Sequence, residues 1–108
     1  MAPRLAAGML VSALIRRAEE AGGSGMVLAK GDATAGALLI QLAERGVPGP
    51  LLERRLDPNG DYRWSPTGPE AESERGDYIA RRRRSDPDLW VIELDAADAM
   101  TLVETVAG

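Results

Sequence analysis

The chain has 108 residues, enough for one domain with one hydrophobic core and not for two. Its apolar share of 44%, charged share of 28% and net charge of −4 describe an acidic globular protein, not a disordered tail or a broadly basic nucleic-acid binder. It contains no Cys and no His, which excludes a disulfide framework, a Cys/His zinc site and a Ser-His-Asp triad within one chain.

Leu5 to Ile15 is an apolar run preceded by Arg4. A bilayer span needs about 20 such residues, and a signal peptide needs a small-residue cleavage site where this chain has Arg16, Arg17, Glu19 and Glu20. The run therefore reads as the start of the folded domain of a cytoplasmic protein, with no membrane involvement. Val11, Leu14, Ile15 and Ala18 recur at helical spacing, and Gly22-Gly23 supplies a C-terminal stop. Two starts are open. A helix could run through Gly8, at a cost of about 1 kcal/mol, or Ser12 could cap it, leaving Leu5–Leu10 extended.

Gly25 to Lys30 predicts a strand, Gly31 to Gly36 a turn, and Ala37 to Leu42 a second strand, together a hairpin. Val47-Pro-Gly-Pro50 predicts a linking turn. Leu51–Leu56 and Asp61–Ser65 flank Pro58-Asn59-Gly60, a strong signal for a second hairpin. Thr67 then fits an N-cap, with Pro69 in the first turn and Glu70 closing a capping box. That helix is expected to run to about Arg84, burying a narrow stripe of Ala71, Tyr78, Ile79 and the Arg82 stem, until Asp86-Pro87 stops it. Leu89–Leu94 is the clearest strand, with Trp90, Ile92 and Leu94 on one face and Glu93 on the other. Asp95 is the expected cap of a last helix through Ala97, Met100, Val103 and Val106.

The order predicts an α+β fold in a single domain, residues 1–108. Its antiparallel sheet has four or five strands, built from two hairpins plus the C-terminal strand, with the helices packed on one face. The expected core is Val27, Leu38, Ile40, Leu52, Leu56, Trp90, Ile92 and Leu94.

The most conspicuous charged feature is the run Arg81-Arg82-Arg83-Arg84. Glu70, Glu72 and Glu74 occupy the other end of the same predicted helix, the order that the helix dipole favours at about 0.3–1 kcal/mol per well-placed charge. Asp77 and Arg81 are spaced to pair at i, i+4. Helix-end electrostatics thus accounts for the run without a ligand. The functional alternative is a contact with a partner or a phosphate through Arg81–Arg84, joined by Arg54 and Arg55 from the second hairpin. Gly22–Gly25 follows a helix and does not lead into one, so it lacks the order of a phosphate loop. Asp86, Asp88, Glu93, Asp95 and Asp98 are the densest acids, with no Ca²⁺-loop spacing.

Val11–Arg17, Gly31–Ile40 and above all Asp86-Pro-Asp-Leu-Trp-Val-Ile-Glu93 resemble a small alphaproteobacterial family of uncharacterised proteins, a domain of unknown function of about this length. The resemblance implies a cytoplasmic bacterial protein and brings no activity, cofactor or catalytic residue. The sequence points first to a non-catalytic interaction or regulatory domain that binds an unknown protein partner or forms a homodimer. The alternatives are a nucleic-acid-associated protein using the arginines, and a small enzyme using carboxylates and a divalent ion.

Overall fold

The computed structural model describes residues 5–108. Its elements are α1 (Ala7–Glu20), β1 (Ser24–Ala29), β2 (Leu38–Glu44), β3 (Val47–Leu56), β4 (Tyr62–Pro66), α2 (Glu72–Ser85), β5 (Trp90–Asp95) and α3 (Ala99–Ala107). The α+β class holds, and the five strands form one sheet in the order β1-β5-β2-β3-β4.

The sheet is mostly antiparallel, with one parallel pairing that the sequence did not disclose. β5 lies between β1 and β2, antiparallel to the first and parallel to the second, from Leu38 beside Trp90 to Ala43 beside Asp95. The expected first hairpin is therefore opened by the last strand. The reason lies in β5 itself. Val91 is as deeply buried as Ile92 and Leu94, so both faces of this strand are covered and it must be central.

The segment between β1 and β2 bends onto β5 instead of closing a tight turn. Asp32 N donates to Asp88 O (2.9 Å), Trp90 Nε1 donates to Asp32 O (2.7 Å), and Trp90 N donates to Ala37 O (2.8 Å). The same loop sets the start of α1. Ala7 N and Gly8 N donate to Thr34 O (3.2 Å) and Ala33 O (2.8 Å), satisfying helix donors that would otherwise be orphaned. The helix accordingly runs through Gly8, and Leu5–Leu10 is not a strand.

Three local expectations are corrected. The turn before β3 falls at Arg45-Gly46, both at positive φ (52° and 79°), and Val47–Pro50 belongs to β3. Pro48 and Pro50 are tolerated because β4 pairs with β3 only from Leu52 onward. Asp95 does not cap a helix: its two carboxylate oxygens accept from Arg45 N and Gly46 N, both at 2.8 Å, and so clamp that turn. Thr67 is not an N-cap either, since α2 starts at Glu72 and Thr67 is buried against the sheet.

Helices cover both faces of the sheet, not one. α1 and α3 enclose the main core of Val11, Leu14, Leu38, Ile40, Leu52, Trp64, Trp90, Ile92, Leu94 and Val103. On the other face, Tyr78 and Ile79 of α2 pack on Leu39, Leu51, Leu89 and Val91. Six of the eight expected core residues are buried; Val27 and Leu56 are 42% and 60% exposed. Both alternate correctly with the main-core face, being in register with Ile92 and Tyr62. They lie toward the sheet's margins, where that face is left uncovered.

The loop contact predicts a sharp contrast between glycines. A Cβ on Gly36 would stand 2.3 Å from Asp88 O, whereas one on Gly76, inside α2, would meet open space. Gly36→Ala is expected to cost about 1–3 kcal/mol of stability, and Gly76→Ala to add about 0.5–1 kcal/mol. Urea unfolding followed by tryptophan fluorescence measures both.

Candidate functional site

The six arginines singled out from the sequence do not share one surface. Arg54 and Arg55 are successive strand residues, paired with Trp64 and Arg63, and so point to opposite faces. Arg54 lies on the α3 side, its guanidinium 5.2 Å from the centre of the Tyr62 ring. Arg55 lies under α2, where its Nη2 donates to Thr67 Oγ1 (2.6 Å). Arg82 turns down onto the sheet and grips Glu53 with both terminal nitrogens, Nη1 at 2.9 Å from Oε1 and Nη2 on Oε2. Arg83 donates from Nη2 to Lys30 O (3.2 Å) at the end of β1. Arg81 and Arg84 are exposed. Arg81 shares a shallow cleft with Pro69, Glu74 and Asp77, yet the expected Asp77–Arg81 pair does not close to ion-pair distance.

Arg82 belongs instead to a half-buried polar cluster between α2 and the sheet. Tyr78 OH accepts from Arg82 Nη1 (2.9 Å) and lies 3.2 Å from Thr67 Oγ1, which in turn donates to Glu53 Oε1 (3.3 Å). The Arg82 hydrogen bond holds the Glu53 carboxyl below its ordinary value of 4.5, against an opposing push from burial, with Arg55 and Thr67 adding to the stabilisation. The same contact raises the Arg82 guanidinium.

A second anchor is Arg75. It donates to Gly49 O (2.7 Å) and Gln41 Oε1 (3.2 Å) from Nη1, and to Pro69 O (3.1 Å) and Glu70 O (2.9 Å) from its other nitrogens. It thereby occupies the backbone that the expected capping box would have coiled into helix. Sequence reasoning missed Arg75, Glu53 and Thr67 because their partners lie up to 34 residues away. The local hint was the excess of arginine on a helix whose apolar stripe is narrow.

The carboxylates do not assemble. Among the described residues, no group of three or more acids is placed to hold a metal ion. Among the same residues, no helix is long and apolar enough to cross a membrane.

A different surface stands out at the margin of the sheet. β1 is an edge strand, paired with β5 on one side only. Met26, Val27 and Leu28 are 57%, 42% and 49% exposed in unbroken succession. Leu28 has no partner in β5, because the register shifts between Val27 and Ala29. No charged residue interrupts Ser24–Ala29. The opposite edge, β4, is guarded: Pro66 has no N–H to offer, and Arg63 carries a charge held by Asp57 at 2.7 Å.

The Glu53 cluster gives a pH prediction. A carboxyl whose folded pKa is depressed contributes stability that is present above its unfolded value and lost as pH falls through the folded one. Glu53→Gln is expected to cost about 2 kcal/mol at neutral pH. Its deficit against the parent should shrink progressively below pH 4.5, the ordinary value of the group. Urea midpoints of both proteins from pH 3 to 7 read the difference.

The comparisons with known proteins match this architecture. The chain is similar to a family protein from Caulobacter crescentus CB15, in an NMR structure (35% identity, 94% of each chain covered, TM-score 0.75) and a crystal structure (35% identity, 91% of this chain and 94% of the other, TM-score 0.76). It is also similar to protein Atu0922 from A. tumefaciens in solution (32% identity, 93% and 92% covered, TM-score 0.70). No curated protein matches it. The three stretches that carried the resemblance meet in the main core, where Val11 and Leu14 share one cluster with Leu38, Ile40, Trp90 and Ile92. The family model for DUF1491, a protein family of unknown function found in these alphaproteobacteria, matches residues 5–104, and the chain belongs to that family.

Proposed function

We propose that this protein is a non-catalytic interaction domain of the cytoplasm that recognises an extended protein strand along β1. The observation that carries the reading is the open, uncharged edge of β1 with Met26, Val27 and Leu28 exposed on it. An edge strand offers a row of backbone donors and acceptors to any extended segment, and exposed apolar side chains beside it add affinity and register. Soluble proteins ordinarily blunt such an edge with charge or proline, as β4 does here. A cytoplasmic setting agrees with a chain that has no cysteine to gain from an oxidising compartment.

The second reading, contact with nucleic acid or another phosphate-bearing partner, rests on Arg81 and Arg84, which are exposed on the last turn of α2. Arg54, Arg55, Arg82 and Arg83 would join only at the margins, since each already has a neighbour within the fold. Binding of this kind would weaken steeply with salt.

The test uses tagged protein recovered from its own cells, with and without nuclease. The β1 reading expects a stoichiometric protein partner, a second copy included, that survives nuclease and is lost in Met26→Lys. Recovery of nucleic-acid-associated proteins alone, unaffected by Met26→Lys and abolished by nuclease or by Arg81→Ala with Arg84→Ala, would contradict it.

A further inference from the structure

The occupant of the β1 edge can be specified further. We infer that it is a second copy of this chain, joined β1 to β1 in antiparallel fashion about a two-fold axis at Val27, an inference that rests on the strand-recognition reading above.

Three features of the edge support self-pairing. The first is its sequence. With Val27 on the axis, Met26 falls opposite Leu28 of the second copy and Gly25 opposite Ala29, so apolar residues meet apolar and small ones meet small. The second is charge. The first charged residue beyond the strand is Lys30, which falls opposite Ser24. The inner neighbour of Ser24 is Asp95 on β5, whose carboxylate is held by the Arg45-Gly46 turn on the far side, so no like charge faces Lys30 across the pair. Like charges facing each other across a pair of strands would instead be destabilising. The third is closure. A β1-to-β4 contact would repeat indefinitely into a filament, but Pro66 and Arg63 obstruct β4. A β1-to-β1 contact uses the open edge twice and then ends, joining two five-stranded sheets into one.

The contacts behind β1 assist this pairing. Arg83 holds Lys30 O, and Ile15 sits directly over Gly25, where a Cβ would lie 2.8 Å from its Cγ1. Both ends of β1 are thereby fixed as an extended template, so little ordering remains to oppose association.

Sedimentation equilibrium of the full chain over a range of concentrations tests the inference. Wild type is expected to show a monomer–dimer equilibrium. Val27→Lys places like charges across the axis and should weaken the dimer about tenfold or more; so should Val27→Glu. Mixing the two variants should restore a heterodimer, which a merely misfolded strand could not do, and near-UV circular dichroism of Trp64 and Trp90 checks the fold of each. A wild-type chain that stays monomeric at every concentration would overturn the inference. So would a dimer indifferent to both substitutions, or a mixture that fails to associate. A monomer that still captures a foreign protein, and loses it on Val27→Lys, would leave the strand-recognition reading standing while removing the second copy; a monomer that captures none would remove both.

Discussion

Everything in this fold depends on β5 being buried on both faces. Trp90, Ile92 and Leu94 fill the core beneath α1 and α3, while Val91 fills the smaller one beneath α2. A strand covered on both faces is stable only in the middle of a sheet, where both edges also find partners. Although it comes last, β5 therefore enters between β1 and β2 and drives them apart. The loop between those strands must then cross over its end. Gly31 and Gly36 permit that close approach, since a Cβ at either would stand within 2.3 Å of Asp88 O. The indole nitrogen of Trp90 closes it by donating to Asp32 O.

The second consequence is the unequal treatment of the two faces. The α1/α3 face is held by apolar burial, worth about 25 cal/mol for each Å² removed from water. The α2 face is built on a smaller cluster, Leu39, Leu51 and Val91 of the sheet with Leu89, and α2 itself buries none of its described residues fully. Polar contacts supply what apolar area does not. Arg75 ties one end of the helix to Gly49 and Gln41, and Arg82 ties the other to Glu53. The arginine run thus serves several ends at once: dipole compensation along its last turn, a bidentate anchor at Arg82, a brace on β1 at Arg83, and free charge at Arg81 and Arg84.

Much of the element order was legible because helix and strand periodicity are local properties. All five strands and three helices were readable from spacing, as was the turn around Asn59-Gly60. Pairing was not, because β5 pairs with residues 52 positions away on β2 and 62 to 71 positions away on β1. Capping was misread for a related reason. Thr67 and Asp95 have good capping chemistry, but each found a distant tertiary partner, in Arg55 and in the Arg45-Gly46 turn. Val27 and Leu56 show a different limit. Alternation tells which side chains share a face, not whether anything covers that face at the margin of the sheet. The arginines were recognisable as a group, yet Arg54 and Arg55 were bound to separate, since adjacent strand residues point to opposite sides.

The central position of β5 leaves β1 at the edge with half of its backbone groups turned outward, and the functional reading follows from that. Residue-resolved amide hydrogen exchange, at low and at high protein concentration, tests the account most directly. In dilute solution, β5 amides should be among the slowest, and along β1 slow amides facing β5 should alternate with fast amides facing out. On concentration, the outward β1 amides alone should slow, while β4 stays unchanged. Uniform protection of β1 in dilute solution would mean that its edge is not open, and slowing on β4 instead would place association on the wrong side of the sheet.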